Sequence, residues 1–141
     1  YNVSLSNELL VYTDDVLDSK KNNPVKKIKI DDKGVLLQKN KLYLSSTREK
    51  VGSRCFVPMI YGRSSIGRLG LFVQITAPIG DVGFYGNWTL QLYPTKDIFV
   101  YPGMEIAQIM FFQTIGEIEL YKGKYLNSDS VNPSKMYMNF K

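Results

Sequence analysis

The chain has no histidine and a single cysteine, Cys55, among its 141 residues. Without an imidazole, Ser-His-Asp hydrolysis, Cys-His proteolysis and most zinc catalysis are excluded, so any general base has to be a carboxylate, a lysine or a tyrosine. One cysteine makes no internal disulfide, and the composition gives no sign of an oxidising compartment. Cys55 is read as a small buried hydrophobe. No apolar run approaches the ~20 residues that span a bilayer, and the N-terminus lacks the charged-then-apolar pattern of a secretion signal. An intracellular, cytoplasmic protein with no membrane association is expected. The chain opens at Tyr1, without a methionine and inside an apparent strand, which leaves room for residues ahead of it. Also missing are the Walker pattern, a GxGxxG loop, a helix-turn-helix, an RNP-type strand and zinc-ligand spacing.

What is present suits one domain over residues 1–141, since 44% hydrophobic residues at this length allow one real core. The net charge of +5 fits a basic surface, and equally a site that receives a polyanion such as nucleic acid or a triphosphate. Nucleic acid is not the expected partner, because the ten tyrosines are scattered through strands, where they ordinarily pack half-buried. Glu105, Glu117 and Glu119 read as solvated strand edges.

Long helices are absent from the pattern. Short β-branched and aromatic runs, punctuated by Gly, Pro, Asn or Asp, predict strands at 1–12, 26–30, 34–37, 41–45, 55–60, 71–76, 87–93, 97–101, 105–112 and 117–121. "DDKG" at 31–34 and "YPGM" at 101–104 are turns, and only 64–69 suits a short helix. The fold class is therefore all-β, a sandwich or barrel-like roll. Asp14 to Lys27 reads as a solvated loop. The tail, 122–141, is irregular yet keeps Met136, Tyr137, Met138 and Phe140, so it is expected to pack on the body or on a neighbouring subunit.

Two segments carry chemistry. "GRSSIGRLGL" from Gly62 offers the guanidinium forks of Arg63 and Arg68, the hydroxyls of Ser64 and Ser65, and a helix start. Such donors match phosphate oxygens, and an arginine pair engaged in surface ion pairs is the plainer alternative. In "ITAPIGDVGFYGNWTLQLY", Trp88, Leu90 and Leu92 alternate with Asn87, Thr89, Gln91 and Tyr93, which places apolar and polar sets on opposite strand faces. Asp81 sits in a glycine-rich hairpin turn, where it is either a turn former or a functional carboxylate.

Taken in order, "GRSSIGRLGL", "TAPIGDVGFYGNWTLQLY" and "YPGMEIAQIMFF" resemble the dCTP deaminase branch of the dCTP deaminase/dUTPase superfamily, with matching spacing across 62–112. "YNVSLSNELLVY" is similar to that family's first strand and "GKYLNSDS" to its Lys-Tyr tail motif. The resemblance implies a distorted β-barrel, jelly-roll-like subunit of the dUTPase type, assembled as a homotrimer with nucleotide sites between subunits. It implies that Ser64 and Arg68 hold phosphates and position the catalytic water, and that the Ala77 backbone reads the pyrimidine. By the same resemblance, Asp81 stands near the deoxyribose 3′-hydroxyl, where dUTPases activate water against the α-phosphorus, and Phe84 packs under the sugar. Gln108 would lie on the phosphate side, and Lys124 and Tyr125 would belong to a triphosphate-binding tail. Mg²⁺ would accompany the triphosphate, with no dedicated protein metal site.

Three departures bear on activity. The family's deaminases carry a glutamate at the position of Gln91, and an amide does not take a proton from water near neutral pH. Asn2 and Ser4 stand where the first strand usually has Asp and Arg, and Pro78 replaces a histidine. Against the dUTPase pattern, Gly83 replaces a second aspartate and no glycine-rich arm follows Tyr125 within these 141 residues. The readings left open are an enzyme acting on dUTP, or on dCTP with altered chemistry; a protein that binds a nucleotide without turnover; and a trimeric structural homologue with a relict site.

Overall fold

Alternating burial along each strand sets the architecture. A computed structural model describes residues 1–140; the last residue of the predicted tail, at position 141, lies outside the described residues. Ten strands follow in chain order: β1 (Asn2–Ser4), β2 (Glu8–Tyr12), β3 (Val25–Lys29), β4 (Val35–Leu37), β5 (Tyr43–Gly52), β6 (Phe56–Gly62), β7 (Leu71–Val73), β8 (Tyr85–Pro94), β9 (Ile98–Val100) and β10 (Glu105–Gln113). One helix, α1 (Ser64–Arg68), stands between β6 and β7, and a 3-10 turn covers Met136–Asn139.

The strands form a five-stranded sheet ordered β3-β2-β5-β8-β7, a three-stranded sheet ordered β1-β10-β6, and the pair β4-β9, with every pairing antiparallel. Apolar residues from all three meet in one core that includes Leu5, Leu9, Leu37, Ile60, Leu90, Leu92, Val100 and Ile106, each fully buried. Burying one such side chain is worth about 1.5–3 kcal/mol, so this core supplies the main stabilisation.

The alternation read in β8 is present. Trp88, Leu90 and Leu92 are buried, while Thr89, Gln91 and Tyr93 are half-buried on the other face. Asn87 is the exception, because its amide turns inward and donates to the carbonyls of Thr47, Arg48 and Glu49 at 2.9–3.3 Å. Those carbonyls belong to a break in the β5–β8 register between Ser46 and Lys50, where they lose their ladder partners. The amide stands in for the missing strand donors.

Several boundaries differ from the sequence reading. The predicted first strand, 1–12, is two strands, because the chain turns a corner between sheets: Val3 pairs with Ala107, whereas Leu10 pairs with Leu44. The strand predicted at 41–45 runs on to Gly52, and the one predicted at 71–76 ends at Val73, where Gln74 takes a φ of 63°. No strand forms at 117–121, since Gly116, with a φ of 97°, turns the chain away from β10 and residues 115–119 are exposed. The loop from Asp14 gives way to β3 at Val25. Cys55 is exposed rather than buried, because it occupies the β5–β6 turn, where Ser53 Oγ accepts the N–H groups of Cys55 and Phe56.

The two turns and α1 form where the sequence places them, with Gly34 and Gly103 each at a φ of 78°. The tail packs on the body through Val131, buried against Leu10 and Leu44, whereas Met136, Met138 and Phe140, on which that expectation rested, remain exposed.

Candidate functional site

The loop between β7 and β8 is fixed by its own backbone before any ligand is considered. Ile60 N–H donates to the Pro78 carbonyl and Gly80 N–H to the Pro58 carbonyl, both at 2.8 Å, which ties the loop to β6. Asp81 opens a turn closed by Phe84 N–H at 3.2 Å, and Gly83 N–H reaches the Ser53 carbonyl. Gly83 needs its freedom, because it adopts a φ of 95° and a Cβ there would stand 2.9 Å from Tyr121 N. Phe84 packs edge-on to Trp88 at 5.6 Å and to Tyr121 at 6.0 Å.

The tail closes the other side. Tyr121 N–H donates to the Val82 carbonyl, Asn127 N–H to Tyr85, and Asn87 N–H to Ser128, at 2.8–3.0 Å. Further along, Asn132 N–H reaches Thr89 Oγ1 and Ser134 N–H reaches the Tyr12 hydroxyl. Lys50 and Asp129 form an ion pair that raises the Lys50 pKa above its usual value, chiefly through the hydrogen bond.

Between loop and tail lies a cleft of about 620 Å³, whose walls include Ala77, Asp81, Phe84, Gln91 and Tyr125. These five are sequence-predicted site residues from three separate segments. The Gln91 side chain has no hydrogen-bond partner among the described residues, so its amide is available to the cleft. A larger groove of about 880 Å³ runs past β2, β3 and Pro102, yet it holds none of the predicted residues, and its Glu8 and Lys27 pair with each other at 2.7 Å. The smaller cleft is the candidate site.

The remaining predicted residues do not line it. Arg63, Ser64, Ser65, Arg68 and Gln108 gather elsewhere, where β6 runs into α1: Gln108 pairs across the sheet with Tyr61, and Arg63 N–H donates to Ile106. Arg63 is engaged with Glu105, so the ion-pair alternative holds for it, and Glu105 is not merely a solvated edge. The side chains of Ser64, Ser65 and Arg68 are exposed and have no polar partner among the described residues. Lys124 stands beside Tyr125 but gives its ammonium to Asn139 Oδ1 at 2.7 Å. Of the departures, Asn2 donates to Glu105 and Ser4 to Glu49, so both serve carboxylates of the same chain.

Cleft residues that the sequence reading passed over include Gln74, Thr89, Tyr121, Ser128 and Asn132. The aromatic and polar content of the tail was visible, but its docking on β8 depends on contacts distant in sequence.

The chemistry on offer is a mostly apolar cleft with one carboxylate, Asp81, and one unpaired side-chain amide, Gln91, in its lining, and a separate set of phosphate-type donors. A family model described as dCTP deaminase-like matches residues 1–114. The chain is 52% identical over 141 residues to a protein of Clostridium beijerinckii named dCTP deaminase, dUMP-forming, covering 99% of this chain and 82% of that one. A protein of the same name from Cytophaga hutchinsonii is 50% identical over the same shares. Among solved structures, the 2′-deoxycytidine 5′-triphosphate deaminase of Agrobacterium tumefaciens superposes with a TM-score of 0.63 at 17% identity, a likeness of fold that spans 78% of this chain and 38% of that one. On the match over residues 1–114 and identity at about half of all positions, this chain belongs to the dCTP deaminase-like family.

Proposed function

We propose that the cleft binds a deoxypyrimidine nucleoside triphosphate, that the chain hydrolyses dUTP to dUMP and diphosphate, and that it does not deaminate dCTP. Gln91 carries this reading. It lines the cleft with an amide that can hold water by hydrogen bonds but takes no proton from it. The carboxylate that can act as a base is Asp81, on the rim. In the hydrolysis, water adds to the α-phosphorus, its proton passes to Asp81, and the bond from the α-phosphorus to the bridging oxygen breaks with diphosphate leaving. The relatives are named for forming dUMP from dCTP; this chain would keep the second half of that conversion.

The separation of the donors supports a shared site. Ser64 and Arg68 lie off their own cleft and face outward unpaired. In a homotrimer they would reach the triphosphate held by a neighbour. The outer face of β6 and β10, beside α1, exposes Tyr61, Met110 and Phe112, which suits burial against another copy. Among the described residues no three His, Cys, Asp or Glu side chains stand together. Mg²⁺ would therefore be held mainly by phosphate oxygens and water, supplying charge neutralisation on the triphosphate.

One incubation with dCTP, dUTP and Mg²⁺, with binding of each nucleotide recorded by calorimetry on the same sample, tests the proposal. Formation of dUMP and diphosphate from dUTP alone is expected. Deamination of dCTP would overturn the role given to Gln91, and tight binding without product would favour the non-catalytic binding reading.

A further inference from the structure

We infer that Gln74 is a positioning residue: its side-chain amide straps the pyrimidine-reading loop to β8 beside Gln91 and so sets how Ala77 meets the base. This rests on the nucleotide reading of the cleft.

Gln74 follows the last residue of β7 and lines the cleft. Its φ of 63° lies in the left-handed region, which costs any residue other than glycine and persists only where surrounding contacts over-determine it. Three contacts do so. Its backbone N–H donates to the Gln91 carbonyl at 3.3 Å. The Gln91 N–H in turn donates to Gln74 Oε1 at 3.3 Å, and Gln74 Nε2 donates to the Ala77 carbonyl at 2.7 Å.

One amide thus plays two roles. Its oxygen replaces the backbone carbonyl that β7 would have offered Gln91 had the strand continued, and its nitrogen occupies the Ala77 carbonyl. A glutamate could make the first bond but not the second, and a lysine the second but not the first. The far end of the loop is anchored independently to β6 through Pro78 and Gly80. Ala77 is therefore held between two anchors, one on each neighbouring strand.

Gln74 fixes one lone pair of the Ala77 carbonyl, and beside it the Ala77 N–H has no acceptor among the described residues. A donor at this place suits the 2-carbonyl oxygen, which uracil and cytosine share. Gln74 would accordingly support recognition of pyrimidines as a class, not discrimination between the two.

Calorimetry on the parent, Gln74→Ala and Gln74→Gly with dUTP, dCTP and inorganic tripolyphosphate tests this, alongside amide hydrogen exchange at Gln91. Loss of the strap should weaken both nucleotides by ~5- to 30-fold, the worth of one or two neutral hydrogen bonds, and leave tripolyphosphate unchanged. Gln74→Gly relieves the backbone strain, so it should be at least as stable as Gln74→Ala while binding nucleotides equally weakly. Gln91 exchange should quicken in both variants. Unchanged exchange at Gln91, or unchanged nucleotide affinity in variants of a parent that binds, overturns the inference. A parent that binds neither nucleotide defeats the nucleotide reading instead, and exchange then decides the strap by itself.

Discussion

Gly80 and Trp88 compete for the same space: a Cβ on Gly80 would stand 2.2 Å from Trp88 Cη2 and 2.6 Å from Cζ2. The indole is not free to retreat, because its Nε1 donates to the Val51 carbonyl and its face meets Phe84. Gly80→Ala should therefore destabilise the protein by about 1–3 kcal/mol through overpacking. Denaturant unfolding checks this, and pairing the change with Trp88→Phe should cost less than the two single changes added together.

Restoring a carboxylate at position 91 should restore proton transfer. In Gln91→Glu, ammonia release from dCTP is expected to exceed that of the parent by ~10²- to 10⁴-fold, the usual contribution of a general base. A coupled ammonia assay reads the result directly. No gain would show that Gln91 is not what blocks deamination.

Asp81→Asn keeps the shape of the rim and removes its base. Turnover of dUTP should fall by ~10²- to 10⁴-fold while dUTP affinity stays within a few-fold. If turnover survives the change, the water is activated by another group.

Arg68→Ala should weaken triphosphate binding by about 1.5–3 kcal/mol, the range of a charge-assisted contact. If the site is shared, a mixture of Arg68→Ala and Asp81→Asn chains refolded together hydrolyses subsaturating dUTP faster than either variant alone, because some interfaces pair an intact cleft with an intact Arg68. Sedimentation at one subunit mass, 16.1 kDa, would refute the assembly.

The Lys50–Asp129 pair holds the tail near β8. Since Lys50 titrates above its usual range in the folded protein, its contribution is present in full below the unfolded lysine pKa and fades as pH rises through the folded value. Limited proteolysis of the tail should be independent of pH near neutrality, where the pair is intact, and should quicken in strong alkali. Lys50→Ala should remove that alkaline step.

The sequence by itself determined the all-β class, the helix after Gly62 and the buried face of β8, and its family resemblance singled out Ala77, Asp81, Phe84, Gln91 and Tyr125, which the fold then brings around one cleft. The first three follow from local periodicity and turn residues, which are properties of neighbouring positions. Tertiary structure alone decided where the strands break, since the corner after Ser4 depends on which distant strand each residue meets, Val3 on Ala107 and Leu10 on Leu44. It also decided that the donors of α1 lie away from the cleft, that Cys55 is exposed in a turn, and that Gln74 takes a left-handed backbone. Glutamine has no local preference for that conformation. Only the hydrogen bonds to Gln91 and Ala77, assembled when β7, β8 and the loop come together, hold it there.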